Sequence, residues 1–374
     1  VPHVIDVRNM AKVLHATVAK VREGSDIRIN ANSINNSNVS IEATKRIRYS
    51  LLLPAALISR FSSTRIPIPG GDKIGTRKID SYVSGLKALG ATFVINKKGI
   101  SVEVQKVKGT EIKLPFPSVT GTEGIIIAAT MAEGKSIITN AAKEPEVVDL
   151  SNFLNSIGAK IKGAGTGTIK VTGVKKLHGT EYTIMPDRIA TGTLMVAASI
   201  TRGNLLIENV VTHHLRAIMQ KLRKTGVKIS EFGYAVKVEC KPKRVKATDV
   251  ITRTYPGFPT DMQPIFMALM TLANGTSWIK EKLYDGRFMH VEGLTKMGAN
   301  IEVDGDVARV KGVEKLNGAK VRATDIRGGA ALTLAGLAAE GVTEVSNIYE
   351  VDRGYDALDK VLSKVGAEIR RVKG

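Results

Sequence analysis

Five times in this chain of 374 residues a helix-forming stretch closes on a glycine and gives way to a strand: LKALGATFVI, LNSIGAKIKG, LRKTGVKISE, LTKMGANIEV and LSKVGAEIRR. The glycines are 90, 158, 226, 298 and 366, spaced by 68, 68, 72 and 68 residues. A fixed period of this kind marks one supersecondary unit used repeatedly, each copy needing its neighbours to bury its apolar face. The glycine is the expected left-handed stop of the helix, because without a Cβ it takes a positive φ at little cost. The strand that follows leads into a hairpin such as INKKGISVEV or VDGDVARVKG. A degenerate sixth copy, VLHATVAKV, puts His15 in the glycine slot.

A second half-unit alternates with the first: IIIAATMAEGKSIITN, LMVAASITRGNLLIEN, IFMALMTLANGTSWIKE and LTLAGLAAEGVTEVSN. These helices are apolar on all sides and rich in alanine and glycine, so they read as buried and closely packed around a common centre. The unit is one buried helix, one amphipathic helix and about four short strands, an α/β architecture. Six units divide into two domains of three, at residues 1–185 and 186–374. The first copy has only its second half, and the chain opens on Val1 rather than Met, so the repeat predicts an N-terminal truncation of roughly half a unit.

Composition narrows the function classes. The longest apolar runs, such as GIIIAATMA, fall well short of a membrane span. A single cysteine, Cys240, rules out a disulfide framework and a thiolate metal site and fits a reducing cytoplasm. His213 and His214 are adjacent, a spacing that directs their side chains to different faces of a helix, so neither a metal nor a cofactor is expected. The net charge of +20 invites a nucleic-acid reading, but aromatics are only 5% and do not interleave with the basic tracts KPKRVK and RRVKG, which read as solvated surface.

Counting back from each glycine places the ionisable residues within the unit. Arg77 and Arg353 lie 13 residues before theirs and Arg287 lies 11 before, at the start of the amphipathic helix. Arg48, Ser118, Asp187, Asp261 and Arg327 lie 42, 40, 39, 37 and 39 before theirs, at the start of the buried helix. Helix N-termini favour anions. Two such domains facing each other form an arginine-lined cleft, with Asp187 and Asp261 the acids within it. Taken singly, each residue has a plainer role: an Asp in MPDRI or FPTDMQ caps its helix, and an Arg in DRGYD pairs with its neighbouring Asp on the surface. The recurrence at matching repeat positions argues for a shared site.

At these residues the sequence resembles the UDP-N-acetylglucosamine 1-carboxyvinyltransferases, enolpyruvyl transferases of peptidoglycan precursor synthesis. The resemblance rests on PGGDKIGTRKID, AAKEPEVVDLSNFLNSIGAKI, MPDRIATGT, FPTDMQ, GRFMHVEGLTKMGA, ATDIR and VDRGYDAL. It implies a two-domain inside-out α/β barrel, each domain of three repeated units around buried helices, with the active site in the interdomain cleft. The related 5-enolpyruvylshikimate-3-phosphate synthases share that architecture, but PGGxxIGxR, FPTDMQ and RFMHV look like the UDP-sugar branch.

The implied reaction moves the enolpyruvyl group of phosphoenolpyruvate to the 3-hydroxyl of UDP-N-acetylglucosamine through a tetrahedral ketal phosphate and releases phosphate. It needs an acid for the methylene carbon, a base for the hydroxyl, and cations for carboxylate and phosphates. By the resemblance, Asp261 is the base, while Arg77, Arg353 and Arg327 hold phosphoenolpyruvate. Arg48, Arg77, Lys78, Ile79, Asp80, Ser81, Ser118, Val119 and Leu283 line the nucleotide-sugar site, and Asp187, Arg188 and Arg287 support the interface or the closed state.

Three departures stand out. Asp72 occupies the place of a family cysteine that donates the proton, which implies an aspartate acid, an acid-shifted pH optimum and insensitivity to fosfomycin, the epoxide that alkylates that cysteine. A family Lys-Asn pair falls upstream of residue 1. PSVTGTEG replaces the common PSVGATEN, with Phe116 where a basic residue can stand. Transfer to another acceptor such as shikimate 3-phosphate, and a non-catalytic homologue binding anionic ligands or nucleic acid, are the competing readings.

Overall fold

The computed structural model describes residues 1–39, 41–72, 74–75 and 78–372. The fold is mixed α/β, and the chain divides into two compact units: Val1–Asp72 with Lys78–Met185, and Lys73–Arg77 with Pro186–Gly374.

The apolar helices are buried as their composition demands. In the second unit the helices Arg188–Ile200, Gln263–Met270 and Ile326–Leu337 pack on one another in all three pairings. Every residue of Gln263–Met270 is buried, with Phe266 and Met267 fully so; each large apolar side chain removed from water in this way contributes roughly 1.5–3 kcal/mol. In the first unit the helix Val119–Ala129 packs against Leu52–Leu57, Asp80–Ala88 and Pro145–Ser156. Gly124 permits its approach to the second of these, since a Cβ there would lie 2.5 Å from the Tyr82 ring.

The repeat glycines behave alike. Gly90, Gly158, Gly226, Gly298 and Gly366 all have φ between 91° and 103°, each just past a helix end. The first copy differs from the expectation. Its helix, Ile5–Ala16, runs on through His15, and Val18 takes the left-handed slot with φ 71°. The helical pattern of IDVRNMAKVLHA continues one turn further than the degenerate alignment allowed, and a β-branched residue accepts the strained backbone. His213 and His214 also depart from expectation: in the 3-10 turn Thr212–Leu215 their rings meet edge-on at 4.3 Å between centroids.

Sheet topology repeats between the units. Strands Glu111–Lys113, Lys135–Thr139, Thr168–Thr172 and Lys160–Lys162 lie in that spatial order, the first pair parallel and the rest antiparallel. Val250–Ile251, Thr276–Lys280, Val307–Lys311 and Asn300–Asp304 reproduce it. Among the described residues no sheet closes on itself. The match extends to single atoms. Gly173 and Gly312 follow equivalent strands and donate to Gly134 and Gly275 at 2.9 and 3.0 Å. A Cβ at Gly173 would sit 1.7 Å from the Ala132 carbonyl oxygen, and one at Gly312 1.8 Å from that of Ala273. Because backbone is in the way, Gly173→Ala is expected to cost about 1–3 kcal/mol, read as a lower urea midpoint; an unchanged midpoint contradicts this packing.

Candidate active site

FPTDMQ and GRFMHV both lie in the second unit, and the fold brings their charged residues together. Pro259 holds extended backbone ahead of the 3-10 turn Thr260–Met262, and Pro264 sits in the first turn of the helix that follows. The turn presents Asp261 to two guanidinium groups. Arg287 donates from Nη1 to Oδ1 at 2.9 Å, and Arg327 from Nε to Oδ2 at 3.1 Å. Side-chain exposure is 2% for Arg287, 13% for Arg327 and 36% for Asp261, so the cations are the more deeply buried partners. Burial alone would raise the Asp261 carboxyl, but the charges of Arg327 and Arg287 outweigh it and hold the group well below the usual carboxylate range.

Neighbouring groups fix these arginines. Arg287 Nη1 also donates to Thr260 Oγ1 at 2.8 Å, and the Thr260 hydroxyl donates to Glu281 Oε2 at 2.8 Å. Arg327 lies in the first turn of Ile326–Leu337, whose cap Asp325 accepts from the N–H groups of Arg327 and Gly328, both at 3.1 Å. Its guanidinium stands over the Tyr355 ring, 5.1 Å from the centroid, and the Tyr355 hydroxyl shares a 2.8 Å hydrogen bond with Thr193 in the core. Burial pushes His290 down to about 4, with Asp325 pulling the other way and Arg287 assisting, so this imidazole is neutral at pH 7. Arg327 Nη1 and Arg287 Nε are buried and make no hydrogen bond among the described residues. Leaving such donors unpaired costs about 1–3 kcal/mol each, which marks a centre with more anion-binding capacity than Asp261 takes up.

The other expected residues of this unit are placed as follows. Asp187 caps Arg188–Ile200, accepting from Ile189 and Ala190 at 2.7 and 3.0 Å, and its charge also acts on Arg327. Arg188 stands over the Tyr255 ring at 5.8 Å. Leu283 is half-buried and donates its N–H to Glu281 Oε1 at 2.8 Å. Arg353 is 6% exposed, so it does not stand on the surface as DRGYD suggests, and it donates to the half-buried Glu350 at 2.9 Å. Neither Arg287 nor Arg353 begins an amphipathic helix. Arg287 lies in the loop ahead of Val291–Lys296, and Arg353 follows Tyr349–Asp352 ahead of Leu358–Lys364.

The first unit gathers a second set. Arg48 opens the 3-10 turn Arg48–Leu51 and donates from Nη2 to the Lys78 carbonyl at 3.4 Å. Ile79 precedes and Asp80 opens the helix Asp80–Ala88. Buried Ser81 donates to the Phe116 carbonyl at 3.4 Å, and Ser118 caps Val119–Ala129 by accepting from Gly121 N–H at 3.2 Å. A Cβ on Gly121 would stand 3.0 Å from that of Ser81 and 3.2 Å from that of Ser118, so two helix N-termini converge there. Asp72 is half-buried in an irregular loop. Arg77 lies outside the described residues.

Known proteins are similar to this chain in sequence and in fold. The family described as EPSP synthase (3-phosphoshikimate 1-carboxyvinyltransferase) matches residues 1–362. UDP-N-acetylglucosamine 1-carboxyvinyltransferase 1 of Caldanaerobacter subterraneus subsp. tengcongensis is 50% identical over 330 residues, 88% of this chain and 79% of that protein. The UDP-N-acetylglucosamine 1-carboxyvinyltransferase of Geobacter metallireducens is 45% identical over 374 residues, 100% of this chain and 89% of its own. The chain belongs to the UDP-N-acetylglucosamine 1-carboxyvinyltransferase family. In fold it is similar to the enolpyruvyl transferase NikO from Streptomyces tendae, with a TM-score of 0.88 at 24% identity over 99% of this chain and 88% of that one. Among the described residues of this family member, no helix is long and apolar enough to cross a membrane and no group of three His, Cys, Asp or Glu is placed to hold a metal ion.

This carboxyvinyltransferase homologue also carries a buried acid in TGTEG. Burial, followed by the nearby charges of Glu146 and Glu144, pushes Glu123 up to about 8. The folded chain therefore keeps this proton through neutral pH, whereas the unfolded chain releases it near 4.5. Because the folded state binds more protons in that window, stability falls as pH rises from about 4.5 towards 8. Glu123→Gln is expected to match the unmodified protein in acid and to exceed it by up to about 3 kcal/mol at pH 7. Denaturant titrations at several pH values check this, and a difference independent of pH contradicts it.

Proposed function

We propose that this chain transfers the enolpyruvyl group of phosphoenolpyruvate to the 3-hydroxyl of UDP-N-acetylglucosamine, releasing phosphate, in the cytoplasmic synthesis of peptidoglycan precursors that cell shape and division require. The observation that carries the reading is Asp261 held between Arg287 and Arg327, in a chain whose relatives bear the name of that activity. Two domains of three repeated units, arranged as an inside-out barrel, complete the proposal, with the Asp72 loop on the first.

In this mechanism Asp72 protonates the methylene carbon of phosphoenolpyruvate, and the sugar oxygen bonds to the adjacent carbon while its proton passes to Asp261. The tetrahedral ketal phosphate then loses phosphate, and Asp72, left ionised by the first step, takes back a methyl proton as the double bond is restored. Asp261 is a weak proton acceptor because two guanidinium groups stabilise its ionised form. It orients the hydroxyl from the outset and takes the proton late, once the forming C–O bond has made that proton acidic. Arg327 and Arg353, with Arg77, neutralise the carboxylate and phosphate of phosphoenolpyruvate. Arg48, Lys78 to Ser81, Ser118 and Val119, at the converging helix starts, bind the nucleotide sugar together with Leu283. Asp187, Arg188 and Arg287 support the closed state. Asp72 needs desolvation to hold its proton against its sequence neighbours Lys73 and Arg77, which sets an acid-shifted optimum.

Product analysis tests the reading. Incubation with both substrates should yield an enolpyruvyl ether at O3 of UDP-N-acetylglucosamine, identified by mass and by proton NMR. Recovery of unchanged nucleotide sugar would refute it.

A further inference from the structure

Glu281 is 3% exposed, and its carboxylate joins the Thr260 turn of the Asp261 centre to Thr252 and to the backbone just beyond its own position. Through Oε1 it accepts the Thr252 hydroxyl at 2.7 Å and the N–H groups of Leu283 and Tyr284 at 2.8 and 3.3 Å. Through Oε2 it accepts the Thr260 hydroxyl at 2.8 Å. An ionised carboxylate can only accept, so Thr260 must spend its single proton on Glu281. That leaves the Thr260 lone pairs to Arg287 Nη1, whose other hydrogen reaches Asp261.

We infer that Glu281 is a positioning residue: by taking the Thr260 proton it fixes the direction of the chain Glu281–Thr260–Arg287 and locks the guanidinium that Asp261 leans on. The inference rests on the transferase reading only for its consequence in turnover. The charge of Glu281 also acts on Arg287 itself. A loop staple alone makes a different demand. Glutamine would serve as a staple, because its carbonyl can accept from Thr252, Leu283 and Tyr284 as Oε1 does. It cannot serve as the lock, because its NH2 group then faces Thr260 as a donor and the hydroxyl proton turns to compete for Asp261.

Nitrogen-resolved NMR of arginine side chains in the substrate-free protein separates the two, with the Arg287 signals assigned by their loss in Arg287→Lys. The unmodified protein and Thr260→Ser should show separate, slowly exchanging Nη protons for Arg287. Glu281→Gln and Thr260→Val should average them. Where turnover is measured, Glu281→Gln should lower kcat by roughly tenfold or more with KM for the nucleotide sugar nearly unchanged. Separate signals surviving in Glu281→Gln or Thr260→Val, or averaged signals in the unmodified protein, overturn the inference. If Glu281→Gln does not fold, the Thr260→Val and Thr260→Ser pair decides. Because the signals are read without substrate, their outcome stands apart from whether the chain turns over.

Discussion

Replacing Asp261 with alanine is expected to abolish measurable turnover and to cost about 3 kcal/mol of stability, towards the low end for breaking a buried ion pair. The partners explain the size. Arg287 is almost wholly buried and Arg327 nearly so, and both direct a donor at this one carboxylate. Without it, two cations face each other with no anion between them. The low end applies because Asp261 keeps 36% of its side chain exposed, so water can partly replace the lost carboxylate. Asp261→Asn keeps the shape and removes the charge; it should fold better than the alanine variant yet lose roughly 100-fold to 10,000-fold in kcat, the range of a missing general base. Urea titrations and phosphate release read the two effects separately. An alanine variant as stable as the unmodified protein would mean that the arginines relax into solvent.

The second large effect concerns Asp72. Asp72→Ala should remove turnover, because no other acid of PGGDKIGTRKID is placed by the resemblance to protonate the methylene carbon. Asp72→Cys should retain turnover and shift its optimum upwards, since a thiol holds its proton to a higher pH than a carboxyl. The same variant should gain covalent inactivation by fosfomycin, visible as a mass increase on that cysteine, while the unmodified protein stays at its own mass. Alkylation of the unmodified protein would sink the assignment of Asp72 to the cysteine's role.

Local periodicity made much of this legible. The spacing of the repeat glycines located the left-handed helix stops, and the small-residue helices declared their burial. Ser118, Asp187 and Arg327 were found at helix starts because a buried helix begins at a fixed distance from its glycine. What the spacing could not show was direction in space. Asp261 and Asp187 look alike in sequence, each at the head of an apolar helix, yet Asp187 caps its own helix while Asp261 reaches Arg287 and Arg327. Glu281 was hidden because a single acid after the strand TSWIK reads as an ordinary strand end, and its four hydrogen bonds come from Thr252, Thr260, Leu283 and Tyr284 only once the chain is folded. Tyr355 escaped for the same reason, since its contacts with Thr193 and Arg327 are tertiary. Val18 misled the first repeat because a β-branched residue gives no signal for a left-handed position.

Enolpyruvyl transfer to a UDP-sugar at the Asp261 centre has a simple readout. Phosphate release from phosphoenolpyruvate is followed with UDP-N-acetylglucosamine and, separately, with shikimate 3-phosphate, using the unmodified chain and Asp261→Asn. Release should require UDP-N-acetylglucosamine and be lost in the variant. Release only with shikimate 3-phosphate, or none with either acceptor alongside steeply salt-dependent binding of nucleic acid, would contradict it.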